Sequence, residues 1–225
     1  GENEDFATYP RDLERDSMMA REVGVDVLFV PEAAAMYPKD FSTFVEVHGL
    51  TDVMCGASRP GHFRGVTTVV SKLFNIINPH RAYFGQKDAQ QALVIRRMAE
   101  DLNFPLEVKV MPIVREADGL AMSSRNTYLS KEERLAALII PKSLAEAKAL
   151  LEQGERSGAK VAQRIKETLS TEPLARIDYI AVKDSATLKD AETIRGSVLV
   201  AVAVWIGKTR LIDNFVFAVP ENREN

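Results

Sequence analysis

The chain has 225 residues, a formal net charge of −3 and a sequence pI of about 5.8, enough length to bury a core in one large domain or two modest ones. The balanced charge, with no Lys/Arg tract interleaved with aromatic residues, argues against a nucleic-acid partner. A single cysteine excludes an internal disulfide, three separated histidines show no metal-ligand spacing, and the longest apolar run is too short to cross a bilayer. We therefore expect no membrane partner and a reduced, cytoplasmic setting.

The first third of the chain is expected to begin with a helix followed by strands. Residues 10–23 predict a helix, with acidic residues in its first turn and Gly24 at its end. The apolar, β-branched run at 25–31 predicts a buried strand. Residues 44–50 alternate apolar and polar side chains, which predicts a more exposed strand.

The next segment continues the alternation of helices and strands. Residues 65–78 predict a helix that ends at Pro79, followed by a buried strand at 81–85, a helix at 88–103 and a strand at 106–114. This order, with short links, is typical of a parallel α/β sheet with right-handed crossovers. The apolar face of the first helix is expected to comprise Val66, Val69, Val70, Leu73, Ile76 and Ile77.

The pattern changes after about residue 113, where we place a domain boundary. A polar segment is followed by Ser130 and Glu133, whose spacing predicts a capping box at a helix start. Two more helices and three strands follow, and Gly207-Lys208 between the last two strands predicts a hairpin turn. Helices followed by antiparallel strands indicate a separate α+β domain. The predicted elements are helices at 142–153 and 157–171 and strands at 177–184, 197–207 and 209–219.

The turn after the strand at 81–85 has two interpretations. Ligands of open α/β sheets bind beyond the carboxyl ends of strands, where the next helix N-terminus attracts anions, and Lys87 adds a full positive charge there. That favours a phosphate site. Alternatively, Asp88 and Gln91 have the spacing of a capping box, which needs no ligand.

Two further loops are rich in groups that bind anions. The loop at 59–65 offers Arg59, His62 and Arg64 beside flexible glycines, and the stretch at 122–126 offers two serines and an arginine. Each also has a simpler interpretation, as a solvated loop before a helix or as ordinary loop composition. A single anionic ligand surrounded by all three loops would explain why each is rich in anion-binding groups.

Five stretches, in order and over essentially the whole chain, resemble the pantothenate synthetase (pantoate–β-alanine ligase) family. They are EDFATYPRDLERD, GASRPGHFRGVTTVVSKLFNIINP, AYFGQKDAQQ, VREADGLAMSSRNTYLS and RLIDN. The resemblance implies an adenylate-forming enzyme with a Rossmann-like nucleotide- and pantoate-binding domain at 1–112 and a smaller α+β lid domain at 113–225. It also implies that pantoate attacks Mg²⁺-ATP to give pantoyl adenylate, that β-alanine then displaces AMP, and that the protein is a homodimer.

The resemblance also implies roles for particular residues. Lys87, Ser123, Ser124 and Arg125 would be catalytic and would stabilise charge on the phosphates. No magnesium ligand is assigned, and Gln86 stands where the family usually has glutamate. The implied ATP-binding residues are Gly85, Gln86, Lys87, Asp88, Val114, Met122, Ser123, Ser124 and Arg125, and the implied pantoate-binding residues are Gln91, Arg59 and His62.

One family motif is missing from these residues. The resemblance implies an H-x-G-H motif on an upstream segment, with histidines that contact the ATP phosphates, and the 225 residues do not contain it. The stretch around His62 does not replace it, because Arg59 stands where its partner histidine would be. The chain begins without methionine, and we expect it to lack one wall of the ATP site. The alternative hypothesis is therefore a nucleotide-binding chain that does not turn over.

Overall fold

The computed structural model describes residues 9–220. Within them, a short parallel sheet is followed along the chain by an antiparallel sheet, each packed against helices. The helices are α1 (Leu13–Glu22), α2 (Ala33–Met36), α3 (Cys55–Ser58), α4 (His62–Ile77), α5 (Ala89–Asp101), α6 (Lys131–Ala137), α7 (Ile139–Glu152) and α8 (Gly158–Leu169). The strands are β1 (Arg81–Gly85), β2 (Glu107–Met111), β3 (Ala175–Asp184), β4 (Ser197–Ile206) and β5 (Thr209–Ala218). Two 3-10 helices span Gln86–Asp88 and Ser124–Tyr128.

The parallel sheet contains β1 and β2, which are joined through α5. Their register runs from Arg81 opposite Glu107 to Gly85 opposite Met111. The predicted α/β order is confirmed, but β1 is not a fully buried strand. Its side chains alternate between half-buried and exposed, and Tyr83 is 61% exposed, because α4 and α5 cover only one face.

The antiparallel sheet has the order β3-β4-β5, and Gly207 has φ +57 in the tight turn that joins β4 to β5. This confirms the predicted hairpin. The central strand β4 is buried on both faces. Val200, Val202 and Val204 belong to the core beneath the helices, whereas Leu199 and Ala201 pack against residues from the first half of the chain. The second face of β4 therefore joins the two halves of the chain. The proposed division between residues 112 and 113 stays a prediction.

Two predicted strands are wrong. Residues 25–31 form no strand, and Val27 is 80% exposed, since no strand of residues 9–220 pairs with this run. An apolar β-branched run needs a neighbouring ladder to become a strand. In residues 44–50, the Val45 N–H donates to Thr68 Oγ1 at 3.1 Å and its carbonyl accepts from Thr67 Oγ1 at 2.5 Å, so helix hydroxyls take the place of a strand partner.

The buried face of α4 also differs from the predicted one. Phe63, Thr67 and Phe74 are buried, whereas Ile76 and Ile77 are each about half exposed. The sequence pattern did not identify the threonines as inward-facing, because it cannot show that their hydroxyls are satisfied by backbone carbonyls of the preceding turn.

Helix caps explain where other helices begin. The Asp12 carboxylate accepts from the Arg15 N–H at 3.0 Å, so α1 begins after Asp12 rather than at residue 10. The predicted capping box of α6 is confirmed. The Glu133 N–H donates to Ser130 Oγ at 3.1 Å, and the Ser130 N–H donates to the Glu133 carboxylate at 2.9 Å.

Candidate active site

A cleft of about 1560 Å³ separates the parallel-sheet half from the β4–β5 hairpin. Most of its wall comes from four stretches that are distant in sequence. They are residues 58–63 at the start of α4, residues 87–91 after β1, Ser123 with Arg125 in the polar loop, and Trp205 with residues 207–214 in the hairpin. The cleft thus lies beyond the carboxyl end of β1, where open α/β sheets bind their ligands.

The turn after β1 carries Lys87 and Asp88 into this cleft. Asp88 occupies the N-cap position of α5, but its side chain makes no capping hydrogen bond, so the capping-box interpretation is wrong. Among residues 9–220, the Asp88 carboxylate has no hydrogen-bond or ion-pair partner. The turn therefore presents one cation and one uncommitted carboxylate side by side.

Two successive glutamines at the start of α5 have different surroundings. Gln90 is 4% exposed, and its Nε2 donates to the carbonyls of Leu50 and Val53, at 2.8 Å each. Its Oε1 accepts from the Cys55 N–H at 3.0 Å. Gln90 thus fixes the loop before α3, while the half-buried Gln91 lies on the cleft wall.

The polar loop forms another part of the cleft wall. Ser123 caps the 3-10 helix that follows it, since its Oγ accepts from the Arg125 N–H at 3.3 Å. Ser124 Oγ lies 2.8 Å from the Tyr9 hydroxyl, and the Arg125 guanidinium lies 5.4 Å from the centroid of the Tyr9 ring. Ser123 and Arg125 line the cleft, where hydroxyl and guanidinium donors suit phosphate oxygens.

A network of polar and charged side chains also holds the polar loop in place. Asn126 Nδ2 donates to the Glu116 carboxylate and to the Ala121 carbonyl, and Arg134 contacts both Glu116 and Asp118. The hydrogen bond from Asn126, assisted by Arg134, holds the pKa of Glu116 below its ordinary value. The Arg134 hydrogen bond likewise lowers the pKa of Asp118. Both carboxylates remain ionised, so the network holds together at neutral pH.

The loop before α4 and the hairpin form the remaining wall. Arg59 Nη1 lies 2.8 Å from His62 Nε2, and because a guanidinium only donates, that imidazole nitrogen is the acceptor. Beside them, Ser58 Oγ donates to the Asp178 carboxylate at 3.3 Å, and Arg210 of the hairpin binds the same carboxylate at 2.7 and 3.0 Å.

Cys55 and Tyr179 lie next to this ion pair, with the sulfur 3.3 Å from the phenol oxygen. Burial, reinforced by Cys55, raises the pKa of Tyr179, so its hydroxyl stays protonated. Cys55 is buried, as expected for an ordinary structural cysteine.

The structure brings together seven of the twelve predicted site residues. The other five do not lie on the cleft wall. Val114 and Met122 are mostly exposed and are joined by a backbone hydrogen bond of 2.9 Å. The seven on the wall are Arg59, His62, Lys87, Asp88, Gln91, Ser123 and Arg125, and the five elsewhere are Gly85, Gln86, Val114, Met122 and Ser124.

Sequence reasoning missed the contribution of the hairpin. Lys208, Arg210, Asp213 and Asn214 all line the cleft. The signal for Arg210, Asp213 and Asn214 was the RLIDN stretch, which supports the resemblance but contains no spacing that points to chemistry by itself. Within residues 9–220, no group of three or more His, Cys, Asp or Glu side chains could hold a metal ion, and no helix is both long and apolar enough to span a membrane.

A cleft with cationic and hydroxyl donors, placed between a parallel sheet and an antiparallel hairpin, defines an α/β protein with an anion-binding site. A family model described as pantoate-beta-alanine ligase matches residues 1–216. The chain belongs to this family of ligases.

Curated relatives and solved structures agree with this assignment. The pantothenate synthetase of Heliobacterium modesticaldum is 62% identical over 219 residues, which are 97% of this chain and 78% of that protein. That of Moorella thermoacetica is 59% identical, over 97% of this chain and 77% of the relative. The crystal structure of pantothenate synthetase from Thermus thermophilus is similar with a TM-score of 0.92 and 47% identity, covering 96% of this chain and 78% of that one.

A more distant structural relative carries ligands. Pantoate-beta-alanine ligase from Francisella tularensis, described as complexed with beta-gamma ATP and beta-alanine, is 30% identical with a TM-score of 0.71. It covers 94% of this chain and 72% of that one.

Proposed function

We propose that this chain catalyses the ATP-dependent condensation of pantoate with β-alanine, through a pantoyl adenylate that is not covalently attached to the protein. The observation that carries the proposal is that Lys87, Ser123 and Arg125 line one cleft with Gln91. Three phosphate-binding side chains and a neutral amide on one cleft suit a nucleotide beside a small hydroxy acid.

In the first step a pantoate carboxylate oxygen attacks the α-phosphorus of ATP, and the bond to pyrophosphate breaks. Negative charge then spreads over the phosphate oxygens and the departing pyrophosphate. Lys87 and Arg125, which both line the cleft, would bind this charge, with Ser123 as a hydroxyl donor. Gln91, with Arg59 and His62 nearby, would hold the pantoate.

In the second step the amine of β-alanine attacks the acyl carbon of the mixed anhydride, and AMP leaves with one oxygen of the original carboxylate. AMP is a good leaving group, so this step depends mainly on the alignment of the two reactants. No protein nucleophile is required, which agrees with a site in which the cysteine is buried beside Tyr179.

The residues present fit magnesium that arrives with ATP. Magnesium is commonly held by one or two carboxylates together with substrate phosphates, rather than by an all-protein cage. The uncommitted Asp88 carboxylate lies next to Lys87 on the cleft wall and would hold it. The ion would neutralise phosphate charge when bound, while Lys87, Ser123 and Arg125 orient the phosphates.

The test is pyrophosphate release from ATP and pantoate. Replacing Lys87 with Ala is expected to lower this rate by roughly 100-fold or more with little change in the melting temperature. Lys166→Ala, on the exposed face of α8, is the matched control and should behave as the unchanged chain. Normal turnover by Lys87→Ala would contradict the role of Lys87.

The intermediate has its own test. Pantoate labelled with heavy oxygen in its carboxylate should give labelled AMP after β-alanine is added, because the bridging oxygen leaves with the nucleotide. Label that appears only in phosphate or pyrophosphate would contradict the adenylate.

A second candidate is a nucleotide-binding chain that does not turn over. It would hold if turnover needs the phosphate contacts that the resemblance assigns to an H-x-G-H motif outside these 225 residues. Pyrophosphate release by this chain and by one extended at its N-terminus with the family motif would separate the two. ATP binding without turnover by the shorter chain, restored in the longer one, would support the second candidate.

The resemblance also supports a homodimer in the cytoplasm. The single, buried Cys55 is compatible with a reducing compartment, since nothing in its environment requires oxidation. Light scattering coupled to size-exclusion chromatography measures the mass in solution, and a mass of one chain at micromolar concentration would contradict the dimer.

A further inference from the structure

Asn214 of β5 reaches across the chain to the turn that carries Lys87. Its side-chain Nδ2 donates to the backbone carbonyl of Gln86 at 3.0 Å and to that of Lys87 at 2.9 Å. Its Oδ1 accepts from Gln86 Nε2 at 3.4 Å. Asn214 is 3% exposed, so these are its available partners and solvent does not compete strongly for them.

The chemistry of these partners fixes the orientation of the amide. Two backbone carbonyls can only accept, so the NH₂ group must face them and the oxygen must face Gln86 Nε2. Both donors and one acceptor of Asn214 are therefore used. No aliphatic side chain could satisfy these two half-buried carbonyls, and an aspartate of the same shape would oppose them with negative charge.

The position of these carbonyls matters because they lie in the 3-10 turn between β1 and α5. A hydrogen bond to the carbonyl of Lys87 restrains the peptide plane that follows its Cα, and the bond to the carbonyl of Gln86 restrains the plane before it. The direction in which the Lys87 side chain leaves the backbone is thus set from both sides. Without these bonds the turn would depend on its own 3-10 geometry, which is weak.

The neighbouring residue strengthens this arrangement. Asp213 is 2% exposed, and its Oδ1 accepts from the Asn214 N–H at 2.8 Å while both of its oxygens bind Arg115. Asn214 is therefore held at its own backbone by a carboxylate that is itself fixed. We propose that Asn214 is a positioning residue that orients Lys87 toward the phosphates, an inference that rests on the proposed role of Lys87.

The experiment compares Asn214→Ala with a control from the same sheet. Val200→Ala removes buried apolar volume from β4 at a position that packs against the helices and does not line the cleft. We expect Asn214→Ala to lower kcat for pyrophosphate release about 10- to 100-fold, the range expected from misplacing a reacting group. Val200→Ala should lower the melting temperature with kcat within about twofold of the unchanged chain, because it removes core packing but no group of the site.

A double-mutant cycle separates positioning from general damage. If Asn214 acts through Lys87, then Asn214→Ala should change kcat little in a chain that already carries Lys87→Ala. Asn214→Asp keeps the side-chain shape but loses both donors, so it should lower kcat as much as Asn214→Ala does. This variant supplies the test if the alanine variant does not fold.

The outcomes distinguish a failure of the positioning role of Asn214 from a failure of the proposed role of Lys87. The positioning role would be overturned if both Asn214 variants had the same kcat as Val200→Ala. It would also be overturned if the kcat losses of Asn214→Ala and Lys87→Ala multiplied in the double variant. Full activity of Lys87→Ala alone would instead refute the proposed role of Lys87, and the inference would fall with it.

Discussion

Arg115 binds both carboxylate oxygens of Asp213, with N–O distances of 2.7 and 3.0 Å. The Asp213 side chain is 1% exposed, whereas that of Arg115 is 35% exposed. Arg115 also donates to the Gly119 carbonyl at 3.0 Å, so β5 holds the base of the polar loop that carries Ser123 and Arg125. Asn214 binds the turn after β1 that carries Lys87. Two successive residues of β5 therefore hold two parts of the cleft wall.

Replacing Arg115 with Ala should therefore destabilise the protein strongly. The variant leaves a buried carboxylate without its cation, and breaking a buried pair in this way costs about 3–5 kcal/mol. Because Arg115 is partly exposed, we expect the lower end, about 3 kcal/mol, in urea unfolding at neutral pH. The hydrogen bond to Asp213 also raises the pKa of Arg115, which keeps the guanidinium charged.

The matched control for Arg115 is an exposed arginine in an ion pair. Arg97 lies 3.7 Å from Asp101 on the surface of α5, and both side chains are at least half exposed. Arg97→Ala should change the unfolding free energy by less than about 1 kcal/mol. Equal losses for Arg97→Ala and Arg115→Ala would show that the burial of Asp213 does not determine the effect.

Acid should weaken the network behind the polar loop. Hydrogen bonds hold the folded-state pKa of Glu116 below its ordinary 4.5 and that of Asp118 below 3.8. A lowered folded-state pKa gives stability that is present above the unfolded value and is lost as pH falls through the folded value. The free energy of unfolding should therefore fall as the pH drops below about 4.5.

Arg134→Gln tests the origin of this acid sensitivity. The variant removes the main cause of the shift at Asp118 and the second cause at Glu116. It should be less stable than the unchanged chain at neutral pH, and the difference between the two should narrow toward low pH. Parallel curves of unfolding free energy against pH would contradict a stabilising role for Arg134.

Substitution by alanine should affect stability at Gln90 and substrate binding at Gln91. Gln90→Ala leaves the carbonyl of Leu50 and the N–H of Cys55 without partners, whereas the carbonyl of Val53 keeps the Gly56 N–H at 2.9 Å. At roughly 1–3 kcal/mol for each of these two groups, the loss should be about 2–6 kcal/mol. Gln91→Ala should leave the melting temperature nearly unchanged and raise KM for pantoate about tenfold. Thermal unfolding and initial rates at varied pantoate measure both effects, and a stability loss at Gln91 as large as that at Gln90 would contradict the assignment.

The sequence correctly predicted the elements that are stabilised by residues close to one another in the chain. The capping box at Ser130 and the hairpin at Gly207 depend on residues a few positions apart, and both are confirmed. The strand at 25–31 depends on a distant partner, so composition could not decide it. Asp88 has the right residue type and spacing for a cap, but its side chain lies in the cleft instead. A capping residue and a residue on a cleft wall can have the same local sequence.

The candidate site was predicted in part for a similar reason. The topology rule places Lys87 beyond the end of β1 from local pattern alone, and the structure has it on the cleft wall. The contribution of Asp213 and Asn214 depends on contacts across about a hundred residues or more. Nothing in an alternating strand sequence distinguishes a buried amide that binds another segment from an ordinary inward-facing residue.

Gln86 offers a final test, because the family resemblance gives glutamate at this position. In the structure its side chain donates only the long 3.4 Å bond to Asn214 Oδ1, whereas its backbone carbonyl accepts the shorter bond from Asn214 Nδ2. Gln86→Glu removes the weaker bond and keeps the stronger ones. We expect kcat for pyrophosphate release to change by no more than about threefold, as fits the loss of well under 1.4 kcal/mol. A loss as large as that of Asn214→Ala would mean that the side chain of Gln86, rather than the backbone of its turn, is what Asn214 holds.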